Sequence, residues 1–223
     1  MQLNDHINRF VDNQLEEPIV SPMDPPQAFT PTTLEKISYE QLPVFLKKLI
    51  DEHRLFEDFI NRFEAALIAF KKKDWVFDDS LSNTFKEFFL FMDDQLIPHH
   101  EREEKFLFPL LHKRLMASGE HSPAPHPQTP VDVMEDDHIK TVQTSCLVFN
   151  LLGIATRLPD ARSRALVFEY AFQQGRDLVE RLRLHIYKED EVVFQLAGRL
   201  ITAQEFSDLE AEEKASHTHT WTV

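Results

Sequence analysis

Glycine is scarce in this chain, only 4 of 223 residues, while 42% are hydrophobic. That balance favours long uninterrupted helices around a sizeable core over a turn-rich fold. Cys146 is the only cysteine, so no internal disulfide can form; this suits a reducing compartment, and the cytoplasm is the expected location. No run approaches the roughly 20 apolar residues of a membrane span. The opening MQLNDHINRF is polar and lacks the apolar centre of a secretion signal. Basic residues are in deficit, 24 against 38 acidic, for a formal charge of −14. A field of that sign opposes nucleic acid and anionic membranes, so neither is an expected partner.

Proline is unevenly placed. Of 13 prolines, five fall in residues 18–31 and four in 123–130, marking an arm and a central flexible link. The chain divides into an irregular arm over 1–37, a helical bundle over 38–200, and a short helix with a flexible tail over 201–223. The first helix is expected to begin at Ser38, where SYEQ reads as a capping box. Its apolar residues Leu46, Leu49, Phe56, Ile60, Phe63, Leu67 and Phe70 step by three and four with one gap of seven, which His53 fills. The second helix spans about Asp79 to Leu115, kinked or broken near Pro98. Its core stripe reads Phe85, Phe88, Met92, Leu96, His99, Glu103, Phe106, Leu110. Thr129 and Pro130 form the cap and first turn of the third, which carries Val131, Met134, His138, Val142, Phe149 and Leu152. The fourth runs from about Asp160 to Ala197 with Gly198 as its cap, and presents Leu178, Leu182, His185, Glu189, Val192 and Leu196. A capping box at Thr202 opens a short fifth helix. The expected fold is all-α: an antiparallel up-down four-helix bundle of two pseudo-repeated hairpins.

The most informative pattern is a repeat. His99-x-x-x-Glu103 returns 86 residues later as His185-x-x-x-Glu189, and a lone histidine precedes each copy, His53 by 46 positions and His138 by 47. On a helix, residues i and i+4 lie on one face, one turn apart. Each HxxxE therefore offers one nitrogen and one oxygen to a common point. Imidazole suits Fe, Zn, Cu and Ni, and a carboxylate can bridge two cations. Two metals with two histidines each and two bridging glutamates account for His53, His99, Glu103, His138, His185 and Glu189. Without a cation, two carboxylates would face each other in a low-dielectric core, at an effective cost of several kcal/mol per buried charge.

Neighbouring residues compete for these roles. His100 and Glu104 also read as HxxxE, as do His53 and Glu57. Aligning HHEREEKFLFP with HIYKEDEVVFQ through Phe108 and Phe194 pairs His99 with His185 and leaves His100 opposite Ile186. His100, Glu104 and Glu57 are thus expected around the site or on the surface. His6, His112, His121, His126, His217 and His219 fall in arm, loop, tail or outer helix positions. The 19 phenylalanines read as core filler, or as the lining of a site that O2 or NO enters while water is kept out.

These residues resemble the hemerythrin-like, or HHE cation-binding, family over roughly residues 38–197. HHEREEKFLFP is similar to that family's His-x-x-x-Glu followed by an apolar Leu-Phe-Pro end; HIYKEDEVVF is a weaker echo, and EDDHIK and DEHRLFEDF resemble its single-histidine helices. The resemblance implies a non-haem centre of two iron ions, although the donors also suit Mn or Zn. Oxygen-carrying members have five histidines, with His-x-x-x-His on the third helix and Asp on the fourth. Here Val142 and Glu189 stand at those places, which disfavours a carrier. Four His and two Glu look more like the iron–sulfur-centre repair and nitric-oxide-response branch, though the arm does not resemble the small Cys-containing domain many of its members carry. The expected function is reaction with, or sensing of, O2, NO or peroxide, in iron–sulfur centre repair or iron handling. The alternative is a metal store or a metal-stabilised bundle without redox turnover.

Overall fold

The computed structural model describes residues 36–123 and 125–217, and every regular element among them is helical. The helices are α1 (Val44–Lys72), α2 (Asp79–Phe91), α3 (Ile97–Arg102), α4 (Phe108–Ser118), α5 (Pro130–Ala155), α6 (Ala161–Lys188), α7 (Phe194–Leu200) and α8 (Ala203–His217). Three π-helical turns, Met92–Leu96, Glu103–Leu107 and Glu189–Val193, join α2 to α3, α3 to α4 and α6 to α7. The chain thus forms four long rods, with α8 after the last. α1 lies along α2 and α6, α5 lies along α6, and α4 touches α5 and α7.

Two apolar cores fill the space between the rods. One is aromatic, built on Phe56, Phe63, Phe70, Phe88, Phe91 and Phe168; Phe63 and Phe88 stack at 3.8 Å. The other holds Leu46, Leu49, Phe108, Leu111, Met134 and Phe194, and α8 adds Phe206 and Leu209 to it. Burial of each such side chain contributes about 1.5–3 kcal/mol. Every rod passes from one core to the other at a polar position. On α1 the change comes between Leu49 and Phe56, at His53; on the second rod between Leu96 and Phe106; on α5 between Met134 and Val148; on the fourth between Leu182 and Val193. The two cores therefore enclose one buried polar layer.

Local chemistry departs from the sequence expectations at several places. The SYEQ box forms, but it closes only a 3-10 turn over Tyr39–Gln41. Leu42 is extended because it precedes Pro43, so α1 starts at Val44 rather than Ser38. Pro98 does not break the second rod. It sits in the first turn of α3 immediately after a π turn, and Pro109 sits likewise in α4. The carbonyls that these rings would meet four residues back, on Asp94 and Lys105, belong to the wider turns, which relieves the clash. Across the central link Ser122 N donates to Gln128 O at 2.8 Å. On α5 the core register runs through Thr141, Ser145 and Val148, leaving Val142 half-buried and Phe149 exposed. Gly198 lies inside α7, not at its cap; a Cβ there would meet Ile37 Cδ1 at 3.0 Å. The Thr129 cap of α5 and the box at Thr202 form as expected. Residues 1–35 of the arm, with Ile19, Val20, Phe29 and His6, lie outside the described residues, as does the tail from residue 218, with His219.

The second rod ends at Gly119, whose φ of 86° is the left-handed conformation that L side chains resist. A Cβ there meets nothing within 4 Å, so only backbone strain opposes substitution. Gly119→Ala is expected to destabilise the protein by about 1 kcal/mol, read as a lower midpoint in denaturant at unchanged slope.

Candidate metal centre

The polar layer collects side chains from all four rods. His53 comes from α1, His99 from α3, His138 from α5 and His185 from α6. Glu103 and Glu189 each occupy the first position of a π turn. None of the six is more than 3% exposed. The π turns have a consequence for packing. Each adds one residue between carboxylate and core, so Phe108 and Phe194, five residues on, are fully buried. Of the expected stripe positions beyond each Glu, Phe106 and Leu196 are buried, while Leu110 and Val192 are only partly buried. Single-turn π insertions of this kind occur often at functional sites.

The histidines form two pairs with the carboxylates between them. His53 Nε2 and His99 Nε2 lie 3.0 Å apart, while the His138 and His185 rings are 4.8 Å apart between centroids. Glu103 reaches both pairs, with Oε1 3.5 Å from His99 Nε2 and Oε2 3.6 Å from His138 Nε2. Glu189 does the same: Oε2 is 3.2 Å from His53 Nε2 and 3.3 Å from His185 Nε2, and Oε1 is 3.8 Å from His138 Nε2. Yet both oxygens of Glu103, both of Glu189, His138 Nε2 and both nitrogens of His185 have no hydrogen-bond partner among the described residues. Leaving a buried polar atom unsatisfied costs about 1–3 kcal/mol, more when it is charged. Nitrogen and oxygen donors converging without partners fit a cation-binding layer, and the donor set fits iron.

Three carboxylates hold the imidazoles in this orientation. His53 Nδ1 donates to Asp190 at 2.8 Å, His99 Nδ1 to Glu52 at 2.7 Å and His138 Nδ1 to Glu104 at 2.6 Å. Each bond fixes the ring so that Nε2 points inward, the usual support of a metal-bound histidine. Each carboxylate adjoins a site residue of its own rod and serves the histidine of the next. Glu104 was expected around the site, whereas Glu52 and Asp190 were not singled out. Their adjacency to His53 and Glu189 was the available signal. Arg102 pairs with Glu52 and lies 3.7 Å from Glu213 of α8, which ties the C-terminal helix to the support of His99. Asp190→Asn is expected to keep the fold but weaken metal binding about 10–100-fold, measured by chelator competition; an unchanged affinity would show that His53 needs no such support.

Electrostatics in the metal-free protein follow from this packing. Burial pushes His53 down, but the Asp190 and Glu189 carboxylates outweigh it and raise its pKa to about 9. Burial takes His99 to about 4 and His185 to about 3. Burial and the charge of Glu189 push Glu103 well above the ordinary carboxyl range. Burial would also raise Glu189, but the surrounding His185, His138 and His53 hold it well below that range. The two carboxyls are thus driven in opposite directions, as expected for two adjacent buried carboxylates without a cation.

The other candidates separate cleanly, with one correction. Glu57 is exposed. His112 bonds Thr129 Oγ1 at 3.0 Å, His121 bonds Ser122 O at 3.0 Å, and His126 is exposed. His100 is neither on the surface nor outside the cluster: it is 5% exposed, and one of its nitrogens lies within 4.8 Å of donor nitrogens on His138 and His185. Repeat alignment placed it opposite Ile186 and so removed it from the polar set. A cleft of about 310 Å³ leads to this side, lined by Ile97, Ile139, Val142, Gln143, Glu101 and Glu104 with His100 and His138.

Comparison with known proteins bears on this layer. A family model described as the hemerythrin HHE cation-binding domain matches residues 44–197, the stretch containing all six residues of the repeat and His100. No curated protein and no solved structure gives a significant match.

Proposed function

Since the chain belongs to the hemerythrin HHE cation-binding family, we propose that it holds two iron ions, one at the His53–His99 pair and one at the His138–His185 pair, bridged by Glu103 and Glu189, and that it reacts with or senses O2, NO or peroxide. The observation that carries this reading is the pair of fully buried glutamates, each spanning both histidine pairs with both oxygens unsatisfied. The two halves are read as pseudo-repeated hairpins of an antiparallel four-helix bundle, since 53 maps to 138, 99 to 185 and 103 to 189 at nearly constant offset. An iron pair would supply one-electron redox chemistry and vacant positions for a small ligand. The chain's own residues do the rest. The two apolar cores exclude water, Asp190, Glu52 and Glu104 hold the rings, and the cleft gives a small molecule a route to His138.

That cleft favours a reactive centre over storage or a purely structural metal. A cytoplasmic role in iron–sulfur centre repair or iron handling is the accompanying proposal; no helix among the described residues is long and apolar enough to cross a membrane. The test is anaerobic reduction of iron-loaded protein followed by NO or O2 under a visible spectrometer. A changed spectrum with either gas supports the reading. Spectra indifferent to both would leave the metal-stabilised bundle.

A further inference from the structure

We infer that His100 is a third imidazole donor to the His138–His185 half, so that the centre is asymmetric, with three histidines on one side and two on the other. This rests on the metal-centre reading above and adds to it a residue that the repeat does not contain.

His100 is buried at the edge of the polar layer. It belongs to α3 beside His99, yet it faces the opposite half of the layer. Its ring lies face to face with His138 at 3.7 Å with the planes 8° apart, and at 75° to His185 with centroids 5.3 Å apart; because a ring nitrogen's lone pair lies in the ring plane, sharing an ion with His138 requires one of the two rings to turn out of that stack. One nitrogen from each of the three rings lies within 4.8 Å of the others, close to the span of one ion with nitrogen donors roughly 2.1 Å away on either side. His100 Nε2 has no hydrogen-bond partner among the described residues. Packing does not require an imidazole at this position either. Its counterpart in the second half is Ile186, which is equally buried and belongs to the aromatic core. A histidine there carries the cost of an unsatisfied buried nitrogen, about 1–3 kcal/mol, which an apolar residue would avoid and a cation removes.

The assignment changes the ligand count. Val142, one turn after His138, stands where oxygen-carrying relatives have their extra third-helix histidine, and it lines the same cleft as His100. The missing imidazole is then supplied from the second rod instead of the third. The sequence disfavoured a carrier partly because it counted one histidine too few. That ground falls, and Glu189 in place of Asp remains the difference. The two-histidine half, His53 with His99, keeps the larger number of vacant positions.

The test compares full-length wild type with His100→Gln, loaded with iron-57 and studied by Mössbauer spectroscopy and chelator competition. Two distinct iron environments in equal amounts are expected for the wild type. In His100→Gln one environment should change and one ion should be held at least tenfold more weakly, while His112→Gln should match the wild type. Adding Val142→His to His100→Gln should restore tight binding of the second ion. If His100→Gln misfolds, X-ray absorption of the wild type decides: a mean between two and three imidazoles per iron supports the inference, and a mean of two overturns it. Two ions in both proteins with the same affinity and the same spectrum would also overturn it, leaving the proposed function standing. A wild type that takes up no iron would instead remove the proposed function itself.

Discussion

Alanine at His99 or His185 is expected to strip at least one ion from the protein. Each ring gives its pair an inward nitrogen at 0–1% exposure, and the space left by truncation is closed to water by the apolar cores on either side. Loss of a supporting hydrogen bond to a metal-bound histidine costs about 10–100-fold in affinity, so loss of the ligand itself should exceed about 100-fold. His112→Ala and His121→Ala should keep full metal content, since both rings bond locally away from the layer. His100→Ala was expected from the sequence to behave like them; on the inference drawn above it should instead join the depleted variants. Metal content measured side by side on the five proteins checks the pattern, and a depleted His112 variant or a full His99 variant would contradict it.

Chelation should lower the melting temperature by a large margin. Ions that bind only the folded state stabilise it by linkage, about 4 kcal/mol for each when free metal is near 1,000 times Kd. For a domain of this size that is about 8–16 °C per ion. Glu103→Gln should separate the two states. In the metal-free protein burial and Glu189 hold the Glu103 carboxyl well above the ordinary carboxylate range. A carboxyl raised in this way contributes stability below its unfolded pKa near 4.5 and loses it as pH rises through the folded value. Glutamine removes that loss, so metal-free Glu103→Gln should melt at the same temperature as metal-free wild type or higher at neutral pH. Loaded with metal it should melt lower, because the glutamine would offer the ions one carboxylate oxygen fewer than Glu103. Glu189 runs in the opposite sense, stabilising above 4.5 and losing that contribution as pH falls. Equal melting curves with and without metal would mean that these residues bind none in the folded state.

Much of this was legible in the chain, and its failures have a common place. The helical spans followed from apolar residues stepping by three and four, because burial of one face dictates that spacing in any helix. The caps at Thr129 and Thr202 followed from side chains able to satisfy free backbone donors. The six residues of the polar layer were found because each interrupts an apolar stripe. Register failed where the helix is not α. Past Glu103 and Glu189 the expected Phe106 and Leu196 are buried, but the π turns also bring Phe108, Leu111 and Ala197 into the core, while Leu110 and Val192 are only partly buried. Nothing in EEKFL or EDEVV announces such a turn, and it is seen only when both ends of the rod are packed. His100 failed for a related reason. Repeat symmetry compares like with like, and the residue that breaks the symmetry has no partner to align with. Glu52 and Asp190 serve histidines on other rods, a relation that sequence order does not contain.

The most direct measurement is the elemental content of the untagged protein purified from iron-replete cells, with protein quantified by amino-acid analysis. Two metal ions per chain, mainly iron, is the result that buried Glu103 and Glu189 between two histidine pairs predict. A content near zero, in protein whose melting curve shows it folded, would contradict a metal centre in this layer.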